Sequence, residues 1–234
     1  MAFKDDLENT VKRIFKEQWQ SRKGTKIPDP VDLALEKNDA VEFERATILY
    51  ADLSGSTALV DSKDWRFSAE IYKTYLHCAA EIIKSEGGSI TSYDGDRIMA
   101  VFIGGNQTTS ASRCGLKINY AVLKIVNPAL KIQYPSTDYL VRQVVGIDTS
   151  EIRAARTGVR GDNDSVWIGR AANYAAKLTE LNQEERTWVT ESAYNFMSDD
   201  MKFGGDPKRS MWTKFNWTEH DNRTIYGSTW HWGV

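Results

Sequence analysis

Two aspartates stand at points of the chain where the backbone is expected to reverse. Asp52 closes the apolar run ATILYADL, and Asp96 belongs to the acidic turn between SITSY and RIMAVF. Two carboxylates that share a cleft tolerate each other when a cation lies between them, and otherwise one of them takes up a proton. Oxygen ligands beside a phosphate substrate favour Mg²⁺ or Mn²⁺. The pair therefore predicts a metal site, with a helix cap or turn as the alternative role for each aspartate.

A polar segment that begins just after Asp52 offers backbone amides and hydroxyls at a predicted helix N-terminus. It consists of Ser54, Gly55, Ser56 and Thr57. Free N–H groups and the helix dipole favour anions at such a position, so the segment suits a triphosphate. An ordinary strand-to-helix turn with a serine cap is the alternative. A P-loop and a dinucleotide-binding glycine pattern are both absent from the sequence.

Strands and helices alternate around these groups. Predicted strands cover 46–53, SITSY, RIMAVF, YLVRQVVGI, IRAARTGV, 187–189 and a tryptophan-rich C-terminal hairpin, and predicted helices cover 65–85, 107–126, 171–181 and a short segment near Ala193. The hairpin around Asp96 is the strongest of these patterns. Such an order predicts an α/β or α+β fold in which helices cover a sheet. The terminal tryptophans, Trp230 and Trp232 among them, are expected to pack on the core or the sheet.

The N-terminal segment has the pattern of an amphipathic helix. Its apolar residues recur at steps of three and four along one stripe: Phe3, Leu7, Val11, Ile14, Phe15 and Trp19. We expect this stripe to pack against its own domain, with a dimer or partner contact as the alternative. Residues 21–39, which contain Pro28 and Pro30, predict a loop.

Composition excludes several classes of protein. The 234 residues fit one globular domain, and the net charge of −2 gives no overall attraction for nucleic acid. Cys78 and Cys114 lie in helix-like segments without metal-ligand spacing, which favours a reducing compartment. Neither a signal peptide nor a membrane-spanning stretch is recognisable. We therefore expect a cytoplasmic protein without nucleic-acid or membrane partners.

Three blocks of the sequence resemble the class III nucleotidyl cyclases, the family of adenylate and guanylate cyclases. They are ATILYADLSGST, GGSITSYDGDRIMAVF, and VGIDTSEI together with IGRAANYAAKL. Their order and spacing agree with the family from about residue 46 to 181, more than half the chain. Each block alone is a weak match, but the three in sequence are specific.

The resemblance implies a ferredoxin-like βαββαβ core with an antiparallel-rich sheet, an N-terminal helix and a C-terminal hairpin. Of these features, the N-terminal helix and the C-terminal hairpin follow from the sequence patterns described above, and only the core follows from the resemblance. The resemblance also implies a head-to-tail homodimer with active sites at the interface. Asp52, Asp96 and the Leu53 carbonyl of one subunit would bind two Mn²⁺ or Mg²⁺ ions, for activation of the ribose 3′-hydroxyl and clamping of the phosphates. Asn173 of the other subunit would orient the ribose. Lys177 stands where the family usually has an arginine that stabilises the transition-state phosphate.

Several positions depart from the purine cyclases. Lys177 keeps the positive charge but lacks the planar fork of arginine. Ser92, four residues before Asp96, replaces the adenine-reading lysine, and Val166, seven residues before Asn173, replaces an aspartate. The guanine-reading Glu and Cys are also missing there. A base edge without its hydrogen-bonding partner is costly to bury. This site should therefore not recognise purines through the hydrogen bonds that the purine cyclases use.

Two larger side chains fill the expected base site. Arg97 follows Asp96 where the family has a small residue, and Tyr50 precedes Asp52 by two residues on the same face of the strand. Arg97 could donate to base carbonyls, while bulk beside Tyr50 narrows the pocket. The alternatives are an ion pair of Arg97 with Asp94 or Asp96 and a core position for Tyr50. The combination resembles the bacterial pyrimidine cyclases of phage defence.

The expected activity is conversion of UTP to 3′,5′-cyclic UMP and diphosphate, with a downstream cyclic-nucleotide-binding effector. An arginine alone does not choose between uracil and cytosine, so a cytidylate cyclase stays open. A purine cyclase with an unusual pocket and a catalytically silent nucleotide sensor stay open as well. The expected domains are an N-terminal helix and linker, 1–44, and a catalytic domain with the C-terminal hairpin, 45–234.

Overall fold

A computed structural model describes residues 2–234. The elements in chain order are α1 (Ala2–Lys16), β1 (Gln20–Lys23), β2 (Asp39–Leu53), α2 (Ser56–Ser62), α3 (Trp65–Ser85), β3 (Ser89–Asp94), β4 (Arg97–Phe102), α4 (Gln107–Ala121), α5 (Asn127–Gln133), β5 (Gln143–Val159), β6 (Asp162–Ile168), α6 (Arg170–Leu178), β7 (Thr187–Thr190), α7 (Glu191–Phe196), α8 (Asp199–Lys202), β8 (Phe203–Gly204), β9 (Arg209–Ser210), β10 (Thr213–Trp217) and β11 (Arg223–Ser228). A 3₁₀ turn lies at Pro30–Asp32, and a π-helical turn at Val122–Val126 joins α4 to α5. Within the described residues, no helix combines the length and the apolar character that crossing a membrane needs.

The chain divides into two compact units, of which the first contains the chain up to Arg45 and Glu151–Gly169. In this unit β1 pairs in parallel with the start of β2, and β6 pairs antiparallel with the end of β5. The prediction of a loop over 21–39 was therefore wrong in part. Polar β1 is held by its ladder to β2 and by the Arg22–Asp39 ion pair, at 2.8 Å, which an apolar pattern does not reveal.

The expected packing of the N-terminal helix against its own domain is also wrong for this chain. Helix α1 forms but ends at Lys16, so Trp19 of the predicted stripe lies outside it, and none of its residues is buried. Its apolar stripe stays exposed in the described structure.

The second unit, Ala46–Ser150 with Arg170–Val234, is built on a sheet of order β10-β11-β7-β5-β2-β4-β3. Successive residues of a strand point to opposite faces. Val145 thus joins the large core cluster that includes residues of α3, α4 and α7, while Val144 joins a smaller cluster with Leu178 of α6. Most pairings are antiparallel, and β5 with β7 is parallel. The predicted α+β fold with an antiparallel-rich sheet and helices covering it is confirmed.

Several element boundaries differ from the sequence-based expectation. The strand before Asp52 starts at Asp39, and the two strands expected around residue 150 form one continuous strand, β5. A short helix, α2, was missed, and the helix expected over 107–126 ends in a π-helical turn. The C-terminal hairpin forms as β10 and β11, with Trp230 packed on the large core cluster and Trp232 partly exposed.

Candidate active site

Two acidic side chains interact electrostatically at the end of β2 and in the β3–β4 turn. Asp52 is the penultimate residue of β2, and Asp96 lies between β3 and β4. Burial first, and then the Asp96 carboxylate, raise the pKa of Asp52 to about 6, although Arg97 acts in the opposite direction. When a second carboxylate opposes the ionisation of an acid, a nearby cation stabilises the ionised form.

Unsatisfied oxygens occur in this carboxylate pair and on two tyrosines that interact with it. Asp96 Oδ2 is buried without a hydrogen-bond partner, and so are the hydroxyls of Tyr75 and Tyr139. Burial raises the pKa of Tyr75 well above its usual value, and the charges of Asp52 and Asp96 act in the same direction. The Tyr75 hydroxyl is therefore a neutral group near both carboxylates. Sequence reasoning missed it because Tyr75 lies on the buried face of α3 and reads there as core.

The donor set of this site suits a hard divalent cation. A buried, unsatisfied carboxylate oxygen is costly, and a cation would neutralise two adjacent acids at once. Among the described residues, no group of three His, Cys, Asp or Glu side chains comes together as a metal site. Mg²⁺ is commonly held by one or two carboxylates and completed by water and substrate phosphates, which fits a two-aspartate site.

One face of the sheet next to Asp52 carries a row of three paired residues. Tyr50 of β2 pairs with Met99 of β4, and Met99 pairs with Ser92 of β3. Directly paired residues point to the same face, so Tyr50 and Ser92 flank Met99. An irregularity in the register between Ile90 and Ser92 turns Ser92 onto this face. Met99 is almost fully buried and forms the centre of the row, a position that sequence reasoning missed.

Arg97 lies beside this row on the same strand as Met99. Its guanidinium carbon is 5.4 Å from the centroid of the Tyr50 ring, and Nη2 donates to Asp94 Oδ2 at 3.0 Å. The ion pair with Asp94, one of the two roles expected for Arg97, is present together with the stacking. Tyr50 is half-buried rather than part of the core. The two side chains expected to narrow the pocket are thus in contact.

The segment after Asp52 leads into α2. Gly55 caps that helix with φ of 77°, a left-handed conformation that glycine adopts without strain. The serine cap that the sequence left open is absent, because Gly55 occupies the cap position. The Ser54 amide donates to the Arg142 carbonyl at 2.8 Å, so it is engaged within the chain. Ser56 and Thr57 form the first turn of the helix.

Asn173 and Lys177 lie four residues apart on α6, where both side chains are exposed. Neither side chain has a hydrogen-bond or ion-pair partner among the described residues. The opposite face of α6 is buried against β5, and Gly146 makes the close approach possible: a Cβ there would lie 2.1 Å from the Ala175 carbonyl oxygen. The inner face of α6 is therefore tightly packed on β5, and Asn173 and Lys177 project from its outer face.

A buried polar network fixes the start of α6. Asp148 is fully buried and accepts hydrogen bonds from Thr190 Oγ1 and from Arg170 Nη2, the latter at 3.2 Å. Arg170 also donates to the Thr149 carbonyl at 2.7 Å. Burial raises the pKa of Asp148, while Thr190 and Arg170 oppose that shift. No local sequence pattern indicates this network, because Asp148 and Arg170 are 22 residues apart.

Val166 belongs to the first unit. It lies on β6 opposite Ala155 of β5, and its side chain is partly exposed.

The chain is similar to known proteins along its whole length. It is 52% identical over 234 residues to a uridylate cyclase of Burkholderia cepacia and 46% identical over 235 residues to one of Xanthomonas perforans, with 100% of both chains covered in each case. The adenylyl cyclase CyaB of P. aeruginosa has a similar fold, with a TM-score of 0.68 and 19% identity over 81% of this chain and 95% of that one. The guanylyl cyclase Cya2 also has a TM-score of 0.68, at 17% identity over 82% and 94%. No family model matches the chain.

Proposed function

The chain belongs to the uridylate cyclases, within the class III nucleotidyl cyclases, and on this basis we propose that it converts UTP to 3′,5′-cyclic UMP and diphosphate. Asp52 and Asp96 are the acidic centre of the proposed site, and Tyr50, Ser92, Arg97 and Met99 are its base-binding side. Val166 and the segment Ser54–Thr57 remain proposed substrate contacts.

The observation that carries the choice of a pyrimidine is the contact between Arg97 and Tyr50. The two side chains lie on the face that holds Asp52, with Ser92 two strands away. The stacked side chains of Arg97 and Tyr50 leave less room for a base than the purine cyclases do, because those enzymes have a small residue at the position of Arg97. The guanidinium only donates, which matches the acceptors of either pyrimidine, O2 and O4 of uracil or O2 and N3 of cytosine. The choice of UTP over CTP therefore rests on the similarity to uridylate cyclases.

The residues that would hold the cations are Asp52 and Asp96, with the Leu53 carbonyl as a further ligand. Bound Mn²⁺ or Mg²⁺ would supply Lewis-acid stabilisation of the phosphate charges and would favour ionisation of the ribose 3′-hydroxyl. The two aspartates contribute the negative charge that would bind these cations. Asp52 carries its share of this charge only above about pH 6, because its pKa is raised to about 6.

The chemical step is an in-line displacement at the α-phosphorus. The 3′-oxygen loses its proton and bonds to the α-phosphorus, and diphosphate leaves with the electrons of the broken P–O bond. Positioning and charge stabilisation do most of the work in such transfers. Asn173 would orient the ribose, and Lys177 would stabilise the phosphate charge. Both would act from the second subunit of a homodimer, because their exposed side chains are available to a partner.

The direct test is incubation of the purified protein with Mn²⁺ and ATP, GTP, CTP or UTP separately, with product identification by mass spectrometry. Cyclic UMP as the main product supports the proposal. Cyclic CMP or a cyclic purine nucleotide would keep the enzyme class and overturn the assigned base specificity. Formation of no product would favour a nucleotide sensor, and a Mn²⁺-dependent thermal shift that persists in Asp52→Ala would strengthen the case for a sensor.

We also propose that cyclic UMP from this enzyme is an antiphage signal read by a cyclic-nucleotide-binding effector. Cells that express the chain together with the effector should resist phage, and cells with the Asp52→Ala variant should not. Equal resistance in both strains would show that cyclase activity does not cause the protection against phage.

A further inference from the structure

Helix α1 carries an apolar stripe that the described structure leaves uncovered. Its members are Phe3, Leu7, Val11, Ile14 and Phe15. Phe3 is 76% exposed and Phe15 is 87% exposed. Single exposed apolar residues are common, but a continuous stripe on an otherwise charged helix marks a contact surface.

The stripe is presented by an anchored helix. The Asn38 amide donates to the carbonyls of Ile14 and Glu17 at 2.8 and 2.7 Å, and Arg13 bonds to the Glu36 carbonyl. Asn38 is only 6% exposed. These bonds satisfy two carbonyls at the C-terminal end of the helix and fix its last turn. The stripe therefore has a defined orientation at that end.

The charges of α1 are separated along its axis. Acidic residues concentrate in the first half and basic residues in the second: Asp5, Asp6 and Glu8 against Lys12, Arg13 and Lys16. Two such helices attract each other when they run antiparallel, since each acidic half then lies beside a basic half. The antiparallel arrangement of the helix dipoles is favourable as well. Parallel pairing would place like halves together.

The same charges argue against a lipid surface. Residues 3–19 contain four basic side chains, Lys4, Lys12, Arg13 and Lys16, and four acidic ones, Asp5, Asp6, Glu8 and Glu17. Helices that lie on anionic membranes carry an excess of Lys and Arg on the polar face. A balanced helix gains little from such a surface.

We propose that α1 pairs antiparallel with α1 of a second copy of this chain. A two-fold axis through the apolar face, at the height of position 9 along the helix, would set Leu7 against Val11 of the partner subunit and Phe3 against Phe15 of the partner subunit. A 15-residue helix is only about 22 Å long. A stable interface buries about 800 Å² per partner, so the helix pair would form one part of a larger dimer interface. The inference goes beyond the proposed reaction and does not depend on it.

Cross-linking tests the direction of the pair. In a Cys78→Ser background, which removes the partly exposed native thiol, Leu7→Cys and Val11→Cys proteins are oxidised separately and as a mixture. Antiparallel pairing predicts a disulfide dimer mainly in the mixture, because residues 7 and 11 face each other across the axis. Efficient cross-linking of each variant alone, or of none, would overturn the proposal.

Sedimentation velocity tests the contribution of the stripe. Val11→Glu should weaken the dimer by about tenfold or more, whereas Asn9→Glu, on the opposite face of the same helix, should leave the dissociation constant unchanged. Circular dichroism melts check that both variants fold. Equal dimerisation of both variants, a monomeric wild-type protein, or flotation of the wild type with anionic vesicles that Val11→Glu abolishes would each contradict the pairing. Neither experiment uses turnover, so a failure here is distinct from a failure of the proposed reaction.

Discussion

The guanidinium of Arg97 lies 5.4 Å from the centre of the Tyr50 ring while it donates to Asp94 at 3.0 Å. The Arg97–Tyr50 pair lies on the same face of the sheet as Asp52, the penultimate residue of β2. An arginine held from two sides has little freedom, so its remaining donors keep a fixed direction, as the proposed contact with a base requires.

Replacement of Arg97 by alanine should therefore change nucleotide preference more than stability. We expect the ratio of kcat/KM for UTP to that for other nucleotides to fall by about tenfold or more, the loss of one specific polar contact. Mass-spectrometric product assays with the four nucleotides measure it. Arg66→Ala is the matched control, because Arg66 also stacks on an aromatic ring, with its guanidinium carbon 4.7 Å from the centroid of Trp65, and pairs with Asp64. An unchanged ratio in Arg97→Ala would remove Arg97 from base recognition.

Asp52 links stability to pH. Its pKa of about 6 exceeds the ordinary value of about 3.9, so between these pH values the folded protein holds a proton that the unfolded chain has lost. The stabilisation from this proton is complete below about pH 4 and disappears as the pH rises through about 6. Asp52→Asn should therefore exceed the wild type in free energy of unfolding at pH 8 without divalent cations. The gain should be about 1 kcal/mol, because the carboxyl is partly solvent-exposed.

Urea denaturation at pH 4 and pH 8 measures this effect, with the exposed Asp61→Asn as the control. Convergence of Asp52→Asn and wild type near pH 4 is expected. A constant difference at both pH values would mean that the substitution acts through packing.

The same ionisation should control cation binding at the proposed site, because a carboxylate must lose its proton to coordinate a metal. The increase in melting temperature of the wild type with Mn²⁺ should be large at pH 8 and small at pH 5. Asp52→Asn should show little increase at either pH. A Mn²⁺ effect in the variant as large as in the wild type would place the cation elsewhere.

Part of this site could be predicted from residues alone. Asp52 and Asp96 stand at predicted strand and turn positions, and Tyr50 shares the face of Asp52 by simple alternation. The register irregularity that brings Ser92 onto that face breaks the alternation and could not be read from it. The buried Asp148–Arg170 pair joins segments that only the folded sheet brings together. In α1, periodicity indicated an apolar contact but did not identify which chain would provide it.

Gly146 should be intolerant of a side chain. A Cβ at this position would come within 2.1 Å of the Ala175 carbonyl oxygen and 2.8 Å of Leu178 Cβ, so α6 would have to move away from β5. Gly146→Ala should cost about 1–3 kcal/mol in the free energy of unfolding, as overpacking does. Gly105→Ala is the control because a Cβ there meets no atom within 4 Å. Equal denaturation midpoints for the two variants would disprove the close contact.

Arg170 should act as a positioning residue for the exposed face of α6. Arg170→Lys keeps a charge near Asp148 but loses the fork that reaches both Asp148 and the Thr149 carbonyl. We expect kcat to fall by about tenfold with little change in KM, because a shift of α6 would displace Asn173 and Lys177, which we propose act in the transition state. Arg223→Lys, which also removes a guanidinium from the Tyr174 ring, is the control. Equal kcat values for the two variants would show that the Asp148 link does not position α6.

Complementation tests whether the carboxylates and Asn173 act from different subunits. Asp52→Ala and Asn173→Ala homodimers should each be nearly inactive, since every site lacks one group. After mixing and exchange, half of the dimers combine the two variants, and one of their two sites contains both wild-type residues. Total activity should then recover to about a quarter of the wild-type value. The Asp52→Ala, Asn173→Ala double variant mixed with inactive Asp52→Ala is the control and should recover nothing. Failure of the first mixture to recover, although native mass spectrometry shows mixed dimers, would mean that both groups serve the same subunit.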